Sequence, residues 1–141
     1  MRIIEARGPA GTVAFAVVPL PANVADSMGV TQAALFNASL FGYTALFVVN
    51  HDQIRGWAGT RATSQVPLVS LDTASVFRPY GGTEDVLREA GESVLSGLVE
   101  RWLADLNDHW RHPAGKVPGE VELRSAGVPV AFTTIELQSA A

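Results

Sequence analysis

Between Thr83 and Trp110 the chain carries a long amphipathic pattern that constrains everything around it. Val86, Ala90, Val94, Leu98, Trp102, Leu106 and Trp110 recur every four residues, and Leu87, Leu95, Val99 and Leu103 widen the stripe beside them. Arg88, Glu89, Glu92, Ser96, Glu100 and Asp108 take the opposite face. A helix with one apolar stripe must bury it against another element. Thr83 is a natural N-cap, and Glu84 and Asp85 suit the positive end of the helix dipole. Arg111-His112-Pro113 ends the pattern, because proline disfavours helical backbone at the residue before it. These signals predict one helix over 83–110 laid on a sheet.

The rest of the chain supplies that sheet. Arg2–Arg7 and Thr12–Val18 read as strands around the turn residues Gly8-Pro9-Ala10-Gly11, with Pro19 and Pro21 ending the second. Ala22–Phe41 reads as a nearly all-round apolar helix, breakable near Ser27-Met28-Gly29 and capped by Gly42. Tyr43–Val49 is a continuous apolar run typical of a central strand. The turn Asn50-His51-Asp52 leads into a strand from Gln53 to about Ala62, and a third run follows at Val66–Leu71. Asp72–Gly82 looks irregular, with a short extended piece at Ser75–Phe77. After the loop Ala114–Pro118, Glu120–Arg124 and Val128–Leu137 read as a hairpin around Ser125-Ala126-Gly127. The expected order is ββ-α-βββ-α-ββ. It describes a single α+β domain over residues 1–141, with a mainly antiparallel sheet covered by two helices.

Composition narrows the possible functions. A chain of 141 residues with 48% hydrophobic and 17% charged residues is globular, with apolar runs too short and interrupted to span a bilayer. The absence of cysteine excludes disulfides, thiolate metal sites and Cys nucleophiles. Met1-Arg2-Ile3-Ile4-Glu5 is not a secretory signal pattern, so a cytoplasmic location is the default expectation. The net charge of -4 is concentrated in residues 83–110, and no basic footprint for nucleic acid is present. Lys116 is the only lysine against nine arginines, which reads as compositional bias rather than recognition.

Four places carry possible chemistry. His51 beside Asp52 has the residue types of a general base, with Arg55 or Arg61 to hold an anionic substrate. The plainer reading is a polar turn, since Asn and Asp favour turns and sequence neighbours there splay apart. In the following strand, Arg55, Trp57, Gly59 and Arg61 share one face by period two. Such a face suits a small planar anion through cation–π and bidentate contacts. Its bland alternative is a surface whose arginines pair with an acidic neighbour. Arg78-Pro79-Tyr80-Gly81-Gly82 precedes the long helix and superficially resembles an anion cradle, but Glu84 and Asp85 would repel a second anion. His109 and His112 have i, i+3 spacing that could meet a metal, yet basic residues are common at helix C-termini and Pro113 displaces His112.

No P-loop, Gly-x-Ser-x-Gly elbow, His-Glu-x-x-His, dinucleotide fingerprint or calcium loop occurs. The sequence therefore implies no metal and no cofactor. Asn37-Ala38-Ser39 matches the glycosylation pattern by chance, and the Glu120/Glu122 pair reads as solvated strand residues. The expected function is a small soluble binding or assembly module that works as a homo-oligomer. It would hold a small anionic or aromatic ligand at Arg55, Trp57 and Arg61, with Arg78 and Tyr80 nearby. It would touch neither membrane nor nucleic acid. One alternative is an enzyme on a small anionic substrate, with His51 as base, Arg55 and Arg61 as clamp, and the loop Ala114–Pro118 as lid. Another is a structural component of a larger particle.

Overall fold

Six strands, β1 (Arg2–Arg7), β2 (Val13–Pro19), β3 (Ala45–Val49), β4 (Gln53–Ala58), β5 (Val69–Asp72) and β6 (Thr134–Ser139), form one sheet in the order β5-β4-β3-β2-β1-β6. This computed structural model describes residues 2–7, 13–21, 45–58, 67–111, 117–126 and 134–139. The helix expected at Ala22–Phe41, the loop Ala114–Pro118 up to residue 116, and Arg61 and His112 lie outside the described residues.

The fold is α+β, and the sheet is mixed. β1 pairs antiparallel with β2 and β6, and β4 pairs antiparallel with β3 and β5, but β2 and β3 run parallel. A parallel pair needs a crossover of a dozen or more residues, and the stretch between Pro19 and Ala45 is longer than that. The tight turn between β3 and β4, by contrast, permits only the antiparallel arrangement.

Both faces of the sheet carry a core. Ile4, Ala6, Val17, Ala45, Phe47, Val49, Ile54 and Leu71 point to one side and join a cluster with the helices. Ile3, Ala16, Val18, Leu46, Val48 and Trp57 form a second cluster on the other side. Every residue of β3 is buried, as the unbroken apolar run predicted. On β4, Gly56 is fixed by this packing. A Cβ there would collide with the Phe47 ring, reaching 2.8 Å from Phe47 Cδ1 and 2.9 Å from Val69 Cγ1.

The helical side departs from the expected pattern in three ways. Asp72–Gly82 is not irregular: it holds α1 (Thr73–Phe77) and a 3₁₀ turn (Arg78–Tyr80), with the Asp72 carboxylate accepting from the Ser75 N–H at 3.1 Å as N-cap. The predicted helix 83–110 is two helices, α2 (Glu84–Glu89) and α3 (Glu92–Arg111), separated by an extended Ala90 and by Gly91. Thr83 caps α2 as expected, accepting from the Val86 N–H. The four-residue repeat also drifts about 40° per step around a 3.6-residue helix. The buried stripe of α3 is accordingly Leu95, Leu98, Val99, Trp102, Leu103 and Leu106, whereas Val86 and Val94 are 42% and 46% exposed.

Glu120–Arg124 is not a strand, and the C-terminal hairpin does not form. The segment is helix α4 (Glu120–Ser125), and β6 follows it. Alternating Val121 and Leu123 imitate a strand, but Glu, Leu and Arg are good helix formers and Glu120 pairs with Arg124 one turn on, at 3.1 Å. Leu123 enters the core, Val121 is exposed, and Glu120 is buried rather than solvated. Trp102 ties this region to α3: its indole N–H donates to the Pro118 carbonyl at 2.8 Å, and its ring meets Phe77 edge-on at 6.1 Å.

Gly56→Ala is expected to destabilise the protein by about 1–3 kcal/mol through overpacking against Phe47 and Val69. Chemical denaturation of the two proteins measures it. An unchanged midpoint would mean that the sheet does not pack as described.

Candidate functional site

The turn between β3 and β4 is organised by Asn50 rather than by His51. The Asn50 Oδ1 accepts from the backbone N–H groups of Asp52 and Gln53, both at 2.7 Å. The Thr73 hydroxyl donates to the Asn50 carbonyl, and the Thr73 N–H donates to the Asp52 carbonyl, locking the turn onto the start of α1. The side chains of His51 and Asp52 do meet, with Nε2 to Oδ2 at 3.3 Å, and both stand at the surface.

His51 lines an open cleft of about 240 Å³ together with Asp52, Asp72, Ala74, Glu84 and Arg88. Neither Arg55 nor Arg78 lines it. Three carboxylates around one imidazole favour a cation or a neutral molecule over an anion. Arg88 reaches Asp85 at 3.4 Å, an exposed pair of small energetic weight.

Arg55 and Trp57 occupy the second face of the sheet, as period two requires. The register Glu5–Ala16, Ala16–Leu46 and Leu46–Trp57 forms one row across four strands on that face. The Arg55 guanidinium lies 5.6 Å from the centroid of the Trp57 ring, in cation–π range. Trp57 is 3% exposed, and its indole Nε1–H is buried with no hydrogen-bond partner among the described residues. A buried donor without an acceptor costs about 1–3 kcal/mol, so such groups call for an explanation. Arg61, expected on the same face, lies outside the described residues.

Arg78 and Tyr80 belong to the opposite side. Both sit on the 3₁₀ turn, where Tyr80 packs against the helical core and Arg78 is exposed. The Tyr80 hydroxyl donates to Asp105 Oδ2 at 2.5 Å. Burial, and then the hydrogen bond and charge of Asp105, raise the Tyr80 phenol well above its ordinary value. The residues considered as one anion site are thus divided by the sheet, with Arg55 and Trp57 on one face and Arg78 and Tyr80 beyond the other.

One pair on the second face escaped sequence reasoning. Glu5, only 5% exposed, accepts from Arg7 Nη2 at 3.3 and 3.4 Å. Their i, i+2 spacing in a strand already put both on one face. Only the buried carboxylate was unforeseen, because its burial depends on the strands that flank β1 on both sides. Among the described residues no group of three His, Asp or Glu side chains has an arrangement that could hold a metal ion. No described helix is long and apolar enough to cross a membrane.

These features define a class only: a small α+β chain with a polar Arg–Trp constellation set into one buried sheet face. No protein-family model, curated protein or solved structure matches the chain.

The Tyr80–Asp105 bond has a sign that can be checked. A phenol raised by folding favours the folded state while protonated, and that stability is lost as pH rises through and above about 10. Tyr80→Phe is therefore expected to lower stability at neutral pH by roughly 0.5–1.5 kcal/mol, the worth of one hydrogen bond. It is also expected to flatten the loss of stability above pH 10. Denaturation midpoints at neutral and alkaline pH test both, and parallel curves for the two proteins would contradict the assignment.

Proposed function

We propose that this chain is a binding module whose ligand is a small anion held on the second face of the sheet, at Arg55 and Trp57. The observation that carries the reading is the buried Trp57 indole N–H, which lacks an acceptor among the described residues and lies beside a guanidinium on the same strand. An anion bridging the two would supply the acceptor and satisfy the indole donor. A guanidinium fork presents parallel N–H groups that match a carboxylate or phosphate.

The same reading takes the chain as a protomer of a homo-oligomer. Only 17% of the residues are charged, and Leu68 and Val121 are 48% and 66% exposed. Among the described residues β5 ends the sheet and is bonded on one side only, an edge that a second copy would extend. An interface of this kind would bury at least about 1,000 Å².

A second reading, an enzyme with His51 as general base, has the 3.3 Å contact with Asp52 and the adjoining cleft in its favour. The carboxylates of that cleft point to a cationic or neutral substrate, and Arg55 does not line it. The binding reading is preferred because it accounts for a buried donor that the enzyme reading leaves unexplained.

Benzoate and inorganic phosphate, titrated while the Trp57 indole N–H is followed by ¹H–¹⁵N spectroscopy, test the binding reading. One of them is expected to shift that resonance saturably. Arg55→Ala should weaken binding about tenfold or more, as for a charge-assisted hydrogen bond, and Trp57→Phe should weaken it severalfold while keeping the ring. No saturable shift with either anion would remove the basis for this reading.

A further inference from the structure

On the helical side, the 3₁₀ turn, α2 and the first half of α3 enclose an open groove of about 300 Å³, at the lower end of the range for small-ligand sites. Tyr80, Val86, Val94 and Leu98 supply its walls, Gly97 its floor and Arg101 its one charged group. Three features set it apart from ordinary surface. Val86 and Val94 stand 42% and 46% exposed although α2 and α3 bury their other large aliphatic side chains almost completely. A Cβ added at Gly97 meets nothing within 4 Å, so the floor opens onto free space. Arg101 is exposed and makes no ion pair among the described residues, because Asp105, one helical turn further on, is bonded to the Tyr80 hydroxyl.

We infer that this groove binds a small carboxylate with an aliphatic body, the body against Val86, Val94 and Leu98 over Gly97 and the carboxylate on Arg101. The charge argument is local. Residues 83–110 are strongly acidic, yet among the described residues no carboxylate lines the groove, so Arg101 faces a mainly apolar trough. A planar guanidinium matches a planar carboxylate with two parallel hydrogen bonds. One cation is poor provision for a phosphate carrying nearly two charges. This site lies on the other side of the sheet from Arg55 and Trp57 and stands independently of them.

Octanoate, octanol and octylammonium share one body and differ in the head group, so they separate the two halves of the site. The methyl signals of Val86 and Val94 and the Gly97 amide report occupancy in the protein as it stands. Octanoate is expected to shift them saturably, with octanol at least about fivefold weaker and octylammonium weaker still. Arg101→Ala should reduce octanoate to the level of octanol and leave octanol unchanged. Gly97→Phe should block both by filling the trough, with the fold checked by circular dichroism, and Arg101→Ala decides alone if that variant does not fold. Equal binding of octanoate and octanol, an Arg101→Ala protein that binds octanoate as before, or shifts confined to the Trp57 indole would each overturn the inference.

Discussion

Burial of β3 on both faces is the constraint from which the rest of the structure follows. Ala45, Phe47 and Val49 enter the core shared with the helices, while Leu46 and Val48 enter the opposite cluster. A strand in that position leaves its neighbours little choice. β4 must yield a residue to the Phe47 ring, which is why Gly56 stands where it does. Trp57, one residue on, is then turned to the other face, opposite Leu46 in the register. The Arg55–Trp57 stack is thus a by-product of the same alternation that builds the core, with a cation beside a buried indole N–H where most of the surrounding side chains are apolar.

The two sides of the sheet solve different problems. The helical side is held by large interlocking groups, above all Trp102, which donates to Pro118 and meets Phe77 while fully buried. It has room for a groove because the helix breaks at Ala90 and Gly91, which turns α2 away from the line of α3 and leaves Val86 and Val94 uncovered. The second face holds fewer large groups, with Glu5 and Arg7 at one end of a strand-to-strand row and Arg55 beside Trp57 at the other. Buried charge there is stabilised by pairing, since an unpaired buried ion costs several kcal/mol. The anion reading is placed on the second face because of the buried Trp57 indole N–H beside Arg55.

The strands from Arg2 to Asp72 were legible because period two and turn chemistry act within a few residues. The parallel pairing of β2 and β3 was legible in principle too, since a long connection between adjacent strands implies it. The helix break at Ala90-Gly91 was hidden by an apolar repeat that continues straight through it. Glu120–Arg124 imitates a strand because Val121 and Leu123 alternate, and only the Leu123 contact with the core and the Glu120–Arg124 pair decide for helix. Among the candidate site residues, the proximity of Arg55 to Trp57 followed from local geometry. The separation of Arg78 and Tyr80 from them did not, because it depends on which face of the sheet each segment meets. Nor was the Tyr80–Asp105 bond legible, joining residues 25 apart in sequence.

The central claim is that the Arg55–Trp57 face is built to hold a small anion. Native mass spectrometry of the protein as purified from its expression host tests this most directly, because it weighs the assembly and any retained molecule together. The account predicts an oligomer carrying one small acidic molecule per protomer, with the added mass lost in the Arg55→Ala protein. Protomers of bare polypeptide mass, or an added mass that survives Arg55→Ala, would contradict it.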